Sequence, residues 1–208
     1  MLRILLSLFL FITVSAHAEV WSYPIEVHGN GCDPNALDVL DNGNTLSVLF
    51  TELGINMPQG DRGDGLRAGR YCRMIFPFQE PRGYRVVKLH QLVDGGVIKS
   101  VGAQGTLRAQ YRVSTAPWYG KNLAAANRIK EFPRAHAIDA DSNFSLNLDS
   151  KFVPGQCGRT LYFTVYLEFI AERRNLNQFF IGAVDSFDTD LAPMILAQTR
   201  PQWQKCKR

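Results

Sequence analysis

A period of two runs through most of this chain, and nothing else in it narrows the fold as much. Thr160-Leu161-Tyr162-Phe163-Thr164-Val165-Tyr166-Leu167-Glu168-Phe169 is dense in aromatic and β-branched residues, the composition of a packed strand. Thr45–Phe50, Tyr84–Leu89, Gly105–Val113 and Phe144–Leu148 alternate apolar with polar residues, so one side of each meets a core and the other meets water. Ile25–His28, Tyr71–Phe76, Gly96–Val101, Phe179–Val184 and Met194–Thr199 are further strand candidates. Many short strands between Gly, Pro, Asn and Asp residues predict an all-β fold. The expected form is an antiparallel β-sandwich, jelly-roll-like or related. Asn42-Gly43 and Asp94-Gly95-Gly96 carry hairpin-turn chemistry. One short helix is expected over Lys121–Phe132, where Leu123, Ala124, Ile129 and Glu131 give a favourable window that Pro133 would stop. The Gly-rich stretch from Gly54 to Arg70 reads as a long exposed loop.

The first 18 residues set the compartment. Met1-Leu2-Arg3 is positive, Ile4–Val14 is an apolar run, and Ala16-His17-Ala18 has the small residues a signal peptidase reads. Cleavage is expected near Ala18, which leaves 19–208 as a single β-sandwich domain. The apolar run is about half of the ~20 residues that cross a bilayer, so no transmembrane anchor is expected. The product is expected in the periplasm or the medium. Hydrophobic residues at 46% and charged residues at 20% fit a folded chain and argue against disorder. The net charge of +4 comes without any Lys/Arg block, so no nucleic-acid partner is expected.

Cys32, Cys72, Cys157 and Cys206 all follow the leader, and an even count in an exported chain implies two disulfides. Three pairings are possible. Each cysteine starts or ends an expected strand, so a bridge would staple neighbouring edges once the Cα atoms come within ~7 Å.

The order of short motifs resembles the secreted DUF4360 family. Gly29-Asn30-Gly31-Cys32 comes first, then Arg70-Tyr71-Cys72 opening a strand, then Pro81-Arg82-Gly83-Tyr84. Cys157-Gly158-Arg159-Thr160-Leu161 starts the longest strand, and Gln202-Trp203-Gln204-Lys205-Cys206 closes the chain. The family pattern is similar: G-x-G-C, a strand, a second cysteine strand, a Pro-Gly-Tyr/Phe turn, C-G and a terminal W-x-K-C. Pro117–Pro154 matches no motif of it. The resemblance implies export and the pairs Cys32–Cys72 and Cys157–Cys206. It names no activity.

Candidate chemistry is sparse. Asp139, Asp141 and Asn143 place oxygen ligands at alternate positions, as a calcium loop does, but Phe144 and Ser150 stand where such a loop needs Gly and Glu. Asp185, Asp188 and Asp190 are expected to form a second acidic loop. No G-x-S-x-G elbow and no H-E-x-x-H motif occurs. His28, beside the Gly29-Asn30-Gly31 turn, is the histidine best placed for a role as a base. No cofactor is expected. Arg62, Arg67 and Arg70 in the Gly-rich stretch could meet an acidic partner, and Arg62-Gly63-Asp64 copies an adhesion tripeptide. Trp118 and Tyr119 follow Pro117 in an expected loop, where aromatics stack on sugars or anchor a protein. Trp21 and Tyr23 are the other aromatic pair. The expectation is a non-catalytic binding or envelope protein with a glycan or protein partner. The alternatives are a secreted hydrolase of polysaccharide or peptide, and an inhibitor or effector acting on a foreign protein.

Overall fold

The computed structural model describes residues 21–41, 45–60, 65–86, 88–120, 126–138, 142–148, 150–151, 157–190 and 203–206. It is all-β, with antiparallel pairing throughout. The strands are β1 (Glu26–His28), β2 (Leu37–Asp41), β3 (Thr45–Phe50), β4 (Gly54–Met57), β5 (Arg67–Gln79), β6 (Tyr84–Val86) and β7 (Lys88–Lys99). They continue as β8 (Gln104–Ser114), β9 (Ala126–Phe132), β10 (Asn143–Asn147), β11 (Ser150–Lys151), β12 (Thr160–Glu172), β13 (Phe180–Asp190) and β14 (Trp203–Lys205).

Two sheets form the sandwich. One runs β1-β5-β12-β8-β9. The other runs β10-β7-β13-β3-β2, with β11 on β7 and β4 on β13. Alternation sends Cys72, Met74, Phe76 and Phe78 of β5 inward, together with Phe163, Val165, Leu167 and Phe169 of β12. They meet Leu46, Val48, Val93, Val97 and Phe180 of the opposite sheet in one core. Phe132, Phe169 and Phe180 pack ring to ring, with Phe169 and Phe180 edge-on at 5.8 Å. Trp21 closes one end of this core against Phe78 and Phe163, at 5.0 and 5.8 Å.

Four local expectations fail, each for a non-local reason. The acidic loop expected at Asp185, Asp188 and Asp190 is the end of β13, held as strand by pairing with β3 on one side and β7 on the other. The described part of the helix expected over Lys121–Phe132 is a strand instead: Ala126–Phe132 lies at the sheet edge and pairs with Gly105–Tyr111. Helix propensity loses there to the burial of Phe132 between the sheets. Asp94-Gly95-Gly96 is not a turn but the middle of β7. A Cβ on Gly95 would lie 2.2 Å from the Ala183 carbonyl oxygen and 2.7 Å from the Phe144 ring, so the glycine serves close packing. The Gly54–Arg70 stretch is not one exposed loop. Its ends are strands, and Ile55 and Met57 are buried. Between them, the buried Arg173 guanidinium donates to the carbonyls of Pro58, Gly65 and Gln178. Asn42-Gly43, Met194–Thr199 and Leu123 and Ala124 lie outside the described residues.

Both disulfides are present, pairing Cys32 with Cys72 (Cα–Cα 5.4 Å) and Cys157 with Cys206 (6.4 Å). Cys72 sits within β5 rather than at its start. The motif elements gather into two clusters around these bridges. The second cluster joins the Pro81–Tyr84 turn to the chain end. Cys206 N–H donates to the Gly83 carbonyl, Gly158 N–H donates to the Tyr84 carbonyl, and β14 pairs with β6.

Candidate functional site

The first cluster builds a surface. β1 ends at His28, and the next residues follow β5 without strand geometry. Gly29 has φ +151, and a Cβ there would lie 2.0 Å from the Tyr71 carbonyl oxygen. Only glycine allows that approach. The Asn30 side chain then takes the place of a strand backbone. Its Oδ1 accepts from Tyr71 N–H at 2.8 Å, and its Nδ2 donates to the Gly69 carbonyl at 3.0 Å. Gly31 N–H donates to the Tyr71 carbonyl, and Cys32 bonds to Cys72. The Gly-Asn-Gly-Cys motif is therefore a clamp on the backbone of Tyr71.

Tyr71 faces outward, because its neighbour Cys72 faces the core. On β12 the even residues face the same way, and Glu168 is the register partner of Tyr71. The rings of Tyr71 and Tyr166 stack with centroids 6.0 Å apart and planes 29° apart. His28 meets Tyr71 edge-on, with Nε2 3.3 Å from the phenolic oxygen. Tyr166 Oη donates to Glu168 Oε1 at 3.3 Å. Burial first, then the charge and hydrogen bond of Glu168 and the neighbouring Tyr71, push the Tyr166 phenol up to about 12, while Arg108 pulls it down. The phenol is thus a neutral donor beside a carboxylate.

Charged groups frame this aromatic pair. Arg108 reaches Glu168 at 3.4 Å. Glu172 takes Arg67 at 3.4 Å, Arg134 at 3.2 Å and Gln104 Nε2 at 2.7 Å. On the other flank Arg73 forms a two-pronged contact with Glu26 and donates to the Tyr119 carbonyl at 2.6 Å. The segment after β8 thereby returns over the same sheet. Trp118 lies on Arg112, whose Cζ is 3.9 Å from the ring centroid, and Tyr119 stays exposed. Beneath that crossing Thr164 and Ile75, register partners on the outer face, are fully buried.

The residues singled out from sequence divide. Tyr119 is exposed on this face and Trp118 is half-buried beside it. Arg67 is exposed, and Arg70 is half-buried next to Tyr71. Tyr23 is exposed, while Trp21 belongs to the core. Arg62, Asp139 and Asp141 lie outside the described residues, and Asn143 is an exposed residue of β10 opposite Gly96. Among the described residues no group of three His, Cys, Asp or Glu side chains could hold a metal. His28 has a phenol as its partner. Glu168 and Glu172 share a face four residues apart, and each is paired with arginine. Sequence reading missed Tyr71, Tyr166 and Glu168 as a group. Tyr71 carried a signal, namely its place between Arg70 and Cys72. Tyr166 carried only its even position in β12.

No protein-family model matches the chain, and no curated protein matches it. Among solved structures it is similar to TmCBM61 in complex with β-1,4-galactotriose, at 12% identity and a TM-score of 0.27, over 82% of this chain and 88% of that one. A likeness that slight fixes no function. No helix among the described residues is long and apolar enough to cross a membrane.

Proposed function

We propose that this is an exported binding domain without catalytic function that holds a glycan on the outer face of its five-stranded sheet. The stacked Tyr71–Tyr166 pair carries the reading. It offers half-buried aromatic surface for the apolar side of a sugar, and Glu168, Arg108 and the Tyr166 hydroxyl stand beside it as hydrogen-bonding groups for sugar hydroxyls. Tyr119 extends the aromatic surface across the Arg73 contact. The disulfides, the leader sequence and the motif order support export with cleavage near Ala18 and membership of the DUF4360 family.

The test is affinity electrophoresis and calorimetry of the oxidised protein against a panel of polysaccharides. Binding to at least one polymer is expected, weakened about tenfold by Tyr71→Ala or Tyr166→Ala, each worth ~1–2 kcal/mol of stacking and burial. Leu49→Ala, at an exposed position of β3 on the opposite sheet, is expected to leave binding unchanged. Equal loss from Leu49→Ala would move the site off the tyrosine face. No binding across the panel would refute the glycan reading.

A further inference from the structure

Beside the tyrosine pair lies a pocket of about 190 Å³, lined by Arg67, Gly69, Arg70, Tyr71, Glu168 and Ile170. Gly69 makes it possible. A Cβ there would meet only ordinary van der Waals contacts at 3.9 Å, so a larger side chain would project into the space rather than clash with the fold. Among the described residues the charges around it are unbalanced. Arg67, Arg70, Arg108 and Arg134 stand against Glu168 and Glu172. Glu168 is already engaged by Arg108 and by the Tyr166 hydroxyl. Glu172 is shared among Arg67, Arg134 and Gln104. Arg70 has the parity of Cys72 and leaves β5 on the side opposite Tyr71, yet it lines this pocket as well as a second one that it shares with Asn56 and Ile181, and it has no carboxylate partner among the described residues. Its guanidinium makes a single 3.4 Å contact with the carbonyl of its neighbour Gly69. Arg67 is mostly exposed, with 68% of its side-chain surface open, so its pairing with Glu172 is readily exchanged for another anion.

From this we infer that the glycan is acidic, and that Arg67 and Arg70 take its carboxylate or sulfate at the Gly69 pocket while a neighbouring ring sits on Tyr71 and Tyr166. The inference rests on the glycan reading above and gives its substrate class. A guanidinium fork matches both anions, and an exposed ion pair that trades its carboxylate for a ligand's loses little. Glu168 lines the same pocket and would repel the anion if Arg108 did not neutralise it.

The experiment compares polygalacturonate, its fully methyl-esterified form, a sulfated galactan and a neutral galactan, at low and at moderate salt. Polygalacturonate or the sulfated galactan is expected to bind about tenfold tighter than its uncharged counterpart, in line with one charge-assisted contact. Which of the two binds tells carboxylate from sulfate. Arg67→Gln and Arg70→Gln are expected to abolish that preference and leave binding to the uncharged polymer in place. Arg128→Gln, an equal charge change on the exposed edge strand β9, is the control and is expected to do neither. Unchanged melting temperatures confirm that the variants fold, and Arg70→Lys serves if Arg70→Gln does not. Equal affinity for acidic and uncharged polymers, with Tyr71 still required, would overturn the inference and spare the glycan reading. A loss of preference in Arg128→Gln matching that in Arg70→Gln would also overturn it, as general charge attraction. Failure to bind any polymer would sink both.

Discussion

The two disulfide clusters use the same crosslink for different ends. Cys32–Cys72 and Cys157–Cys206 close loops of similar length, with sequence separations of 40 and 49. Cys32 and Cys72 are buried, and the first bridge anchors a Gly-Asn-Gly turn whose atoms hold the backbone on either side of Tyr71. The second bridge is half-buried and ties the chain end to a turn, through a two-stranded sheet that pairs with neither sheet of the sandwich. One crosslink therefore supports a surface, and the other fastens the Trp203–Cys206 segment to the turn before β12. The loop-closure contribution to stability is nearly equal, and what differs is which side chains move when the link is cut.

Cutting each link is the strongest way to break this contrast. Cys32→Ala with Cys72→Ala is expected to cost about 4 kcal/mol, to lower the melting temperature, and to abolish glycan binding. Cys157→Ala with Cys206→Ala is expected to cost a similar or slightly larger amount by the same loop-entropy argument, but to leave affinity within a factor of about two. Denaturant unfolding and calorimetry on both pairs would check this. Equal loss of binding in both would mean the clusters are not separable.

Two glycines sharpen the same comparison at smaller scale. Gly29→Ala puts a methyl group 2.0 Å from the Tyr71 carbonyl oxygen, so backbone must shift, at roughly 2–3 kcal/mol and with weaker binding. Gly83, at φ +81 in the second cluster, is open: a methyl group added there would meet nothing within 4 Å. Gly83→Ala is expected to cost only the left-handed conformation, about 1 kcal/mol, without any effect on binding. Urea midpoints of the two variants decide it.

The smallest effect is a titration. The Tyr166 phenol, raised from 10 to about 12, favours the folded state while it stays protonated. Because the folded value lies above the unfolded one, that contribution is complete below pH 10 and is lost as pH rises through about 12. Near-ultraviolet titration should show a late tyrosine component that disappears in Tyr166→Phe and moves to lower pH in Glu168→Gln. Retention of the late component in Tyr166→Phe would assign it elsewhere and remove the support for a protonated Tyr166 donor at the site.

Much of the fold was legible because alternation is a local property. The runs at Thr45–Phe50, Gly105–Val113 and Thr160–Phe169 all became strands. Local signals misled where burial elsewhere outweighed them. Ala126–Phe132 has helical residues but pairs with β8, and Gly95-Gly96 has turn residues but lies against Phe144 and Ala183. Of the candidate site, Arg67, Arg70 and Tyr119 were singled out from sequence, although the two arginines lie in β5 rather than in a loop and Arg70 is half-buried. Tyr71 and Tyr166 were not, since nothing within a few residues of either one marks it as half of a pair.

The sequence by itself determined the all-β class, the even cysteine count and the two-sided character of the longest strands, because each follows from composition or from neighbours a few residues apart. Tertiary structure decided the rest. The register of β5 against β12 sets Glu168 opposite Tyr71 and Tyr166 opposite Arg73, across roughly a hundred residues of chain. Slipping that register by one residue would turn Tyr166 into the core and leave Tyr71 without its ring partner. The platform exists because long-range burial of Cys72, Met74, Val165 and Leu167 on the inner face fixed which side chains the outer face shows.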